Sequence, residues 1–304
     1  MTVDRAVKVV FGADRSYAMA LAVALRSLAD HSNGVAPTVF VLHDGFDVDL
    51  QRKIERSCEP LRPEWITVPE QTIAELKVGL RLPHSSHYTI LVPRFVPAEV
   101  SRVVHLDADI LVRRALTDLW ATELGGHAFA AAHDAFLPTL AAGLPWRRLE
   151  LDPRAPYFNA GVMVMDLAAW RDAEISERAM RLLGEDGFPK SDQSALNALA
   201  AGGWQPLDPA WNVQSHYLTG DASRAWAWTD RDLLERAIAD PGIVHFCHGD
   251  FARPWQADSS HPYRDAWLAT LDRTPWAGWR PRRHWTAGAL RRVRRAGRVL
   301  AGRP

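Results

Sequence analysis

Two aspartates lie two residues apart in the mostly apolar stretch VVHLDADILV, residues 103–112. An ionised carboxylate in apolar surroundings costs several kcal/mol unless a cation or strong hydrogen-bond donors meet it. On an extended strand, residues i and i+2 point to the same side, so the side chains of Asp107 and Asp109 can converge. Converging carboxylates favour Mg²⁺ or Mn²⁺, which complete their coordination with water and phosphate oxygens. The pair therefore predicts a metal-bridged diphosphate; the plainer interpretation is two acids that cap a helix or pair with Arg113 and Arg114.

Alternating strands and helices would position this pair at the edge of a sheet. Residues 6–14, AVKVVFGAD, are typical of a buried strand, and apolar residues at helical spacing over 16–32 predict a helix with Ser16 as its N-cap. A second buried strand at 36–45 and a second helix at 47–59 follow in the same order. This order predicts an α/β fold with a doubly wound, mostly parallel sheet and right-handed crossovers.

The rest of the chain continues this pattern less regularly. Irregular stretches rich in Trp and Pro, within 136–156 and 206–230, are predicted to line a ligand cleft, because loops on a rigid sheet carry function. We predict further strands at 102–106, 127–132, 161–166 and 242–246, and helices near 114–122, 174–185 and 192–201.

The cysteine content and the apolar runs bear on the compartment. The chain of 304 residues has two cysteines, Cys58 and Cys247, in no CxxC or Cys/His finger spacing, which disfavours a disulfide framework or a structural zinc site. Residues 1–17 carry charges where a signal peptide needs an apolar core, and no apolar run reaches the ~18 residues that cross a bilayer. We therefore predict a cytoplasmic protein that can still lie on the inner face of the cell membrane.

Charge is unevenly distributed along the chain. The 36 basic and 36 acidic side chains balance, but residues 273–304 hold ten arginines and no acid. This division predicts one domain over 1–272 and a basic tail over 273–304. A Trp- and Arg-rich amphipathic end suits an anionic membrane surface, and a solvated basic end is the alternative. No nucleic-acid partner is predicted, since no recognition motif accompanies the charge.

Four motifs in fixed order strengthen the metal interpretation of the aspartate pair. They are HLDADILVRRALTDLW at 105–120, FNAGVMVMDLAAWR at 158–171, DQSALNAL at 192–199 and HFCHGDFARPW at 245–255. Together they resemble glycosyltransferase family 8, which includes glycogenin and bacterial lipopolysaccharide galactosyl- and glucosyltransferases. The resemblance implies one Rossmann-like nucleotide-sugar-binding domain of the GT-A type and a retaining transfer of glucose or galactose from a UDP-sugar to a saccharide or glycolipid. A non-catalytic sugar- or nucleotide-binding relative of the same fold is the alternative.

The resemblance also implies the ligands of the metal ion. In the family the two acids bind a divalent ion, usually Mn²⁺, and Asp107 and Asp109 match them; Mg²⁺ is the alternative ion. The third ligand is a histidine of the late motif, which matches His245. His248 is a competitor for this role, because the motif is two residues longer here than in the family.

Further positions match the donor site of the family. Arg253 replaces the family's lysine and keeps a positive charge toward the departing diphosphate, and Gly249 belongs to the same motif. Asp14 and Ser16 match the first-strand turn that contacts uridine. Arg94 matches the arginine of a segment that reaches the donor.

The sugar and the acceptor are implied to lie beside three other segments. Asn159 offers both a donor and an acceptor to sugar hydroxyls, and Gly161 lets the backbone approach a sugar. Asp192 and Gln193 match a pair beside the anomeric carbon, and Asp134 matches an acid on the acceptor side. Because the amide oxygen of Gln193 is a feeble nucleophile, we expect UDP to leave from the face that the acceptor attacks, with Gln193 stabilising the oxocarbenium-like state.

Overall fold

The computed structural model describes residues 6–32, 34, 36–76, 84–218, 230–247 and 251–282. Within these residues the strands are Lys8–Gly12 (β1), Thr38–His43 (β2), Pro63–Thr67 (β3), Arg102–Asp107 (β4), Ile110–Val112 (β5), Phe129–His133 (β6), Phe158–Asp166 (β7), Gln205–Pro206 (β8), Val213–Gln214 (β9) and Ile243–His245 (β10). The helices are Ala18–Asp30 (α1), Val48–Cys58 (α2), Glu70–Glu75 (α3), Tyr88–Phe95 (α4), Thr117–Trp120 (α5), Leu140–Gly143 (α6), Leu167–Asp172 (α7), Ile175–Gly184 (α8), Asp192–Ala200 (α9), Arg231–Ala239 (α10) and Arg264–Leu271 (α11). Short 3₁₀ turns lie at Arg15–Tyr17, His84–His87, Pro209–Asn212 and Ser215–Leu218.

Seven strands form the central sheet, in the order β3-β2-β1-β4-β7-β6-β8. β3, β2, β1 and β4 are parallel, and α1 and α2 provide the crossovers from β1 to β2 and from β2 to β3. β7 runs antiparallel to both β4 and β6, whereas β8 is parallel to β6. All strands except β7 therefore point the same way, which confirms the predicted α/β fold with a mostly parallel sheet.

Helices cover both faces of this sheet. On one face, Val9 and Phe11 of β1 belong to a hydrophobic cluster that includes Leu21 and Leu25 of α1. On the other face, Val10 belongs to a second cluster that includes residues of α4, α7, α8 and α9. Alternate residues of β1 thus enter opposite layers, and all three are fully buried, as expected for a strand covered on both faces.

A second, three-stranded sheet carries part of the candidate site. β10 pairs antiparallel with β5 and parallel with β9. His245 lies opposite Ile110 of β5, the residue that follows Asp109, and opposite Gln214 of β9. This pairing brings His245 next to the aspartate pair although the two segments are far apart in sequence.

Most element predictions are confirmed, with two corrections. The further predicted strands are β4, β6, β7 and β10, and the later predicted helices are α8 and α9. The helix predicted near 114–122 is only the four-residue α5, which no side chain caps and which Gly125 and Gly126 follow at positive φ. The prediction of Ser16 as the N-cap of α1 is wrong. Asp14 caps the preceding 3₁₀ turn instead, so α1 begins two residues after Ser16.

The described part of the predicted basic tail packs on the domain. Arg273 forms an ion pair with Asp30 at the end of α1, and the amino group of Lys53 lies 4.0 Å from the ring centroid of Trp276. Residues 283–304, which include the predicted amphipathic end and its membrane contact, lie outside the described residues. Within the part of the chain that is described, no helix combines the length and the apolar content needed to cross a membrane.

Candidate active site

Two carboxylates and one imidazole meet where β4, β5 and β10 come together. Asp107 ends β4, Asp109 directly precedes β5, and His245 ends β10. The Nε2 atom of His245 lies 3.5 Å from Oδ2 of Asp107 and 3.4 Å from Oδ1 of Asp109. One ligand atom from each residue lies within 4.8 Å of the other two, and this set of oxygen and nitrogen atoms fits a divalent ion such as Mn²⁺. The structure therefore brings together the three predicted metal ligands.

The two aspartates differ in exposure and therefore in what stabilises their charge. The side chain of Asp107 is 43% exposed and that of Asp109 is 8% exposed. Burial disfavours the charge of Asp109, but the hydrogen bond and charge of His245 and the charge of Arg253 bring its pKa below the usual value. Burial also disfavours a charged His245, yet neighbouring acidic groups, Cys247 and the two aspartates, raise the pKa of the imidazole well above the usual value. A proton and a divalent ion would therefore compete for His245.

Gly161 on β7 lies directly against this cluster. A Cβ atom at this position would come within 2.2 Å of Cε1 of His245 and 2.9 Å of Oδ2 of Asp107. Any side chain here would push the imidazole or the carboxylate out of place. The space needed by the cluster thus explains the glycine; the predicted approach of its backbone to a sugar remains a prediction.

The turn after β1 lies beside the same cleft. Oδ1 of Asp14 accepts hydrogen bonds from the N–H and the hydroxyl of Ser16 at 2.8 and 2.6 Å, and Oδ2 accepts the hydroxyl of Ser85 at 2.7 Å. Ser85 in turn lines a cleft of about 170 Å³. The other polar or charged residues that line this cleft are Tyr17, Asp107, Asp109, Ser191, Asp192, Gln193 and Arg253. Asp14, in the turn predicted to contact uridine, is therefore hydrogen-bonded to Ser85, which lines the same cleft as Asp107 and Asp109.

The guanidinium of Arg253 lies against Asp109 and beside two aromatic rings. Its Nη2 atom is 3.2 Å from Oδ2 of Asp109, and its Nε–H donates to the carbonyl oxygen of Phe246 at 3.3 Å. Its central carbon is 5.5 Å from the ring centroid of Tyr17 and 5.7 Å from that of Trp255. A planar, delocalised cation suits these contacts better than the compact ammonium group of lysine does. Burial, followed by the charge of Asp109, raises the pKa of Tyr17 to about 12, so this phenol stays neutral near pH 7.

Asp192 begins α9 and is buried beside the cleft. Burial, followed by the negative charge of Asp107, raises its pKa to about 7. Hydrogen bonds from the hydroxyl of Thr89 and from the N–H of Gln193 favour its charged form and limit this rise. Asp192 can therefore gain or lose a proton near neutral pH, and a cation at Asp107 would lower its pKa.

Asp134 is buried next to Gln193 and accepts four hydrogen bonds. Its Oδ2 atom accepts the Nε2–H of Gln193 at 3.0 Å and the Nδ2–H of Asn159 at 3.1 Å. Its Oδ1 atom accepts the N–H groups of Phe136 and Leu137 at 2.8 and 2.7 Å. Asn159 is itself buried, so it lies behind the cleft wall and not among the residues that line it. The structure thus places the predicted acceptor-side acid next to Gln193.

The structure does not bring Arg94 to this cleft. Its Nη1 atom lies 3.4 Å from Oε2 of Glu75, and its side chain lines a different cavity, about 600 Å³ in volume, together with Glu177 and Met180 of α8. The reason is its place in α4: the first turn, with Tyr88 and Thr89, faces the sheet, whereas Arg94 lies on the last turn, about 7 Å farther along the axis. The side chain that α4 directs toward Asp192 is Thr89.

Sequence reasoning misses several residues of the site, among them Tyr17, Ser85, Thr89, Ser191 and Asn212. Ser85 and Thr89 lie in SSHYT, at and just before the start of α4, where no motif marks them. Asn212 carries no motif, and its role depends on tertiary contacts alone. Two predicted residues, His248 and Gly249, lie outside the described residues.

Sequence comparison relates the chain to known glycosyltransferases. The sequence model of Glycosyl transferase family 8 matches residues 8–259. General stress protein A of Bacillus subtilis (strain 168) is 27% identical over 290 residues, which cover 91% of this chain and 96% of that protein. Lipopolysaccharide 1,2-glucosyltransferase of Escherichia coli (strain K12) is 20% identical over 278 residues, which cover 90% of this chain and 80% of that protein.

Structural comparison shows the same fold in a solved glycosyltransferase. The galactosyltransferase LgtC, in complex with donor and acceptor sugar analogs, superposes with a TM-score of 0.75 at 24% identity, covering 88% of this chain and 96% of that one. The α/β fold with a mostly parallel sheet is thus that of a GT-A glycosyltransferase. The chain spans about 60% of the length of several Streptococcus pneumoniae glycosyltransferases that it also matches.

Proposed function

Because the chain belongs to glycosyltransferase family 8, we propose that it transfers glucose or galactose from a UDP-sugar to a saccharide or glycolipid acceptor, with retention at the anomeric carbon. The observation that carries this proposal is the cluster of Asp107, Asp109 and His245 in the wall of a polar cleft, beside the cation of Arg253. A bound Mn²⁺ would hold the donor's diphosphate and offset its charge. Mg²⁺ suits the carboxylates equally, but the imidazole nitrogen favours Mn²⁺.

The residues of the first strand turn support a place for the nucleoside. Asp14 is held rigidly by Ser16 and Ser85, so its carboxylate and the two serine hydroxyls form a fixed polar surface near the cleft. Such a surface suits the imide and ribose groups of uridine. We therefore place uridine at this turn and the diphosphate toward Asp107.

Arg253 is suited to stabilise the leaving group. In the absence of an ion its guanidinium neutralises Asp109. If Asp109 held an ion, the guanidinium of Arg253 would no longer be needed there and could face a phosphate oxygen. Charge that grows on the departing diphosphate would then be stabilised more in the transition state than in the ground state, which is the condition for catalysis.

The contacts of Gln193 favour departure and attack on the same face of the sugar. Its amide oxygen accepts the N–H of Ala160 at 3.1 Å and its amide nitrogen donates to Asp134, so the group is fixed and its oxygen is already engaged. In the proposed reaction the bond from the anomeric carbon to UDP breaks and the bond to the acceptor oxygen forms. The acceptor's proton passes to a phosphate oxygen of UDP. Gln193 stabilises the positive charge at the anomeric carbon and forms no bond with it.

An exposed aromatic ring two residues after Asp134 supports an acceptor site in this region. Phe136 is 51% exposed and its ring stacks on that of His216, with the centroids 5.0 Å apart and the planes inclined by 29°. An exposed aromatic face suits a sugar ring, whose C–H groups pack on it. We place the acceptor sugar, free or lipid-linked, in this region.

Release of UDP from UDP-glucose and from UDP-galactose tests the proposal. We expect release by the wild-type protein with Mn²⁺ but not with EDTA, and a fall of about 100-fold or more in Asp109→Ala, because this variant loses a metal ligand. Asp49→Ala, which removes a carboxylate that is 96% exposed on α2, serves as the matched control and should keep full activity. No Mn²⁺-dependent release from either sugar, even with acceptor extracts added, would instead favour a non-catalytic sugar- or nucleotide-binding protein.

A further inference from the structure

A line of hydrogen bonds runs from the metal cluster to Asp134 through two buried asparagines. Nδ1 of His245 lies 3.0 Å from Oδ1 of Asn212. Nδ2–H of Asn212 donates to Oδ1 of Asn159 at 2.9 Å, and Nδ2–H of Asn159 donates to Oδ2 of Asp134 at 3.1 Å. Asn212 is fully buried and does not line the cleft, so it can act on a ligand only through its neighbours.

The direction of each hydrogen bond in this line is determined from the Asp134 end. A carboxylate accepts hydrogen bonds and donates none, so the NH₂ group of Asn159 must face Asp134 and its Oδ1 atom must face Asn212. The backbone N–H of Gly161 donates to the same Oδ1 atom at 3.0 Å and requires the same orientation independently. Asn212 must therefore present its NH₂ group to Asn159 and its Oδ1 atom to the imidazole.

This direction determines which nitrogen of His245 is available to an ion. Oδ1 of Asn212 is an acceptor, so Nδ1 of His245 must carry a hydrogen. When the ring is neutral, the lone pair is then on Nε2, the atom that lies toward Asp107 and Asp109. A histidine that binds a metal through one nitrogen generally donates the other N–H to a fixed partner.

We propose that Asn212 is a positioning residue that holds His245 in the tautomer that binds the divalent ion, and that Asp134 fixes the orientation of Asn212 through Asn159. The inference rests on the metal site proposed above. It links the metal ligand to the acid on the acceptor side by three consecutive hydrogen bonds. It also gives a reason for a polar side chain at position 212, where burial alone would favour an apolar one.

Local structure fixes the position of Asn212 relative to His245. Asn212 ends the 3₁₀ turn that Asp208 caps through the N–H of Ala210, and it directly precedes β9. β9 pairs in parallel with β10, which places Val213 opposite Val244. Asn212 thus lies immediately before β9, the strand that pairs with the strand of His245.

Mn²⁺ affinity measured without nucleotide tests this inference, with the signal of free Mn²⁺ in electron paramagnetic resonance as the readout. We expect Asn212→Leu to weaken Mn²⁺ binding by about 10- to 100-fold, because the imidazole loses its hydrogen-bond acceptor. Asn212→Ala, which adds no apolar bulk, should weaken binding by a similar factor. Asn212→Asp keeps an acceptor for His245 but turns its second oxygen toward Oδ1 of Asn159, so it should weaken Mn²⁺ binding less than Asn212→Ala does.

Two further variants separate positioning from loss of stability. Asn197→Leu removes an equally buried amide that bonds the backbone of Phe158, and it should lower the midpoint of thermal unfolding without changing Mn²⁺ affinity. Asp134→Asn replaces an acceptor of four hydrogen bonds with an amide that cannot accept all four, and it should weaken Mn²⁺ binding although Asp134 touches no ion.

The possible failures are distinguishable. If the wild-type protein binds no Mn²⁺, the proposed metal site is wrong and the inference falls with it. If the wild type binds Mn²⁺ but the leucine and alanine variants at Asn212 bind it as tightly as Asn197→Leu does, the metal site stands and the role of Asn212 is refuted. If only Asp134→Asn behaves as the wild type, the link from Asp134 through Asn159 is refuted.

Discussion

Asp109 is nearly inaccessible to solvent, and it keeps its charge because His245 and Arg253 lie against it. An unpaired carboxylate at this depth would cost several kcal/mol. The metal-free protein therefore carries its own cations at the place where a divalent ion would bind. The aspartate pair could be predicted from its residue types and spacing, whereas His245 was predicted as a ligand only through the resemblance to the family. Thr89 and Asn212 could not be predicted, since their roles arise only from hydrogen bonds made after folding.

The raised pKa of Asp192 predicts a pH dependence of stability in the metal-free protein. The pKa of Asp192 is about 7 in the folded protein, and its ordinary value is 3.8. Between pH 3.8 and pH 7, Asp192 therefore keeps a proton in the folded protein that it has released in the unfolded chain. Stability therefore falls as the pH rises through this window and levels off above it. The wild-type protein should therefore have a lower free energy of unfolding at pH 8 than at pH 5. We expect this difference to be smaller in Asp192→Asn by roughly 2–3 kcal/mol, measured by urea denaturation in EDTA.

The control for this prediction is Asp186→Asn, which removes an exposed carboxylate and should keep the pH dependence of the wild type. An equal loss of stability between pH 5 and pH 8 in Asp192→Asn and in the wild type would show that Asp192 is already ionised at pH 5 in the folded protein.

At the scale of elements, the hydroxyl of Ser27 links α1 by hydrogen bonds to β5, the strand that follows Asp109. Oγ of Ser27 donates to the carbonyl oxygen of Ala24 at 2.7 Å and accepts the N–H of Val112 at 2.9 Å. Ser27→Ala leaves that buried N–H without its partner, so we expect a loss of about 1–3 kcal/mol of unfolding free energy. Ser32→Ala, which removes a more exposed hydroxyl just after α1, should change it by less than about 0.5 kcal/mol. Equal effects in urea denaturation would show that Ser27 does not support β5.

The elements that could be predicted are those that a local sequence pattern identifies. Buried runs and helical spacing identify β1, α1, β2 and α2, and their alternation predicts the parallel sheet. The reversed direction of β7 has no such signal, because a fully buried strand has the same apolar pattern in either direction. The pairing of β10 with β5, which completes the metal cluster, likewise depends on tertiary contacts. The position of Arg94 away from the cleft has the same origin, because the turn of α4 that faces the cleft is determined by tertiary contacts.

At the scale of the whole molecule, α11, the last helix of the described residues, supports the sheet that carries His245. Trp267 of α11 is fully buried in a cluster with Val23 of α1, Leu111 of β5 and Val244 of β10. The end of the described chain therefore holds together the first helix and the two strands on either side of the metal cluster. The sequence predicts a domain boundary after residue 272, yet the packing continues past this point to Trp276.

Trp276 lets us measure how much this C-terminal packing contributes. Its ring is partly buried against two hydrophobic clusters, each of which includes residues of α1, and the amino group of Lys53 lies over it. Trp279, three residues later, is exposed and joins neither cluster. We expect Trp276→Ala to lower the free energy of unfolding by about 1–3 kcal/mol, because apolar area and a cation–π contact are lost, whereas Trp279→Ala should change it by less than about 0.5 kcal/mol. If urea denaturation showed the same stability for both variants, the segment after α11 would not be an integral part of the domain, and the boundary predicted from the sequence would be the correct one.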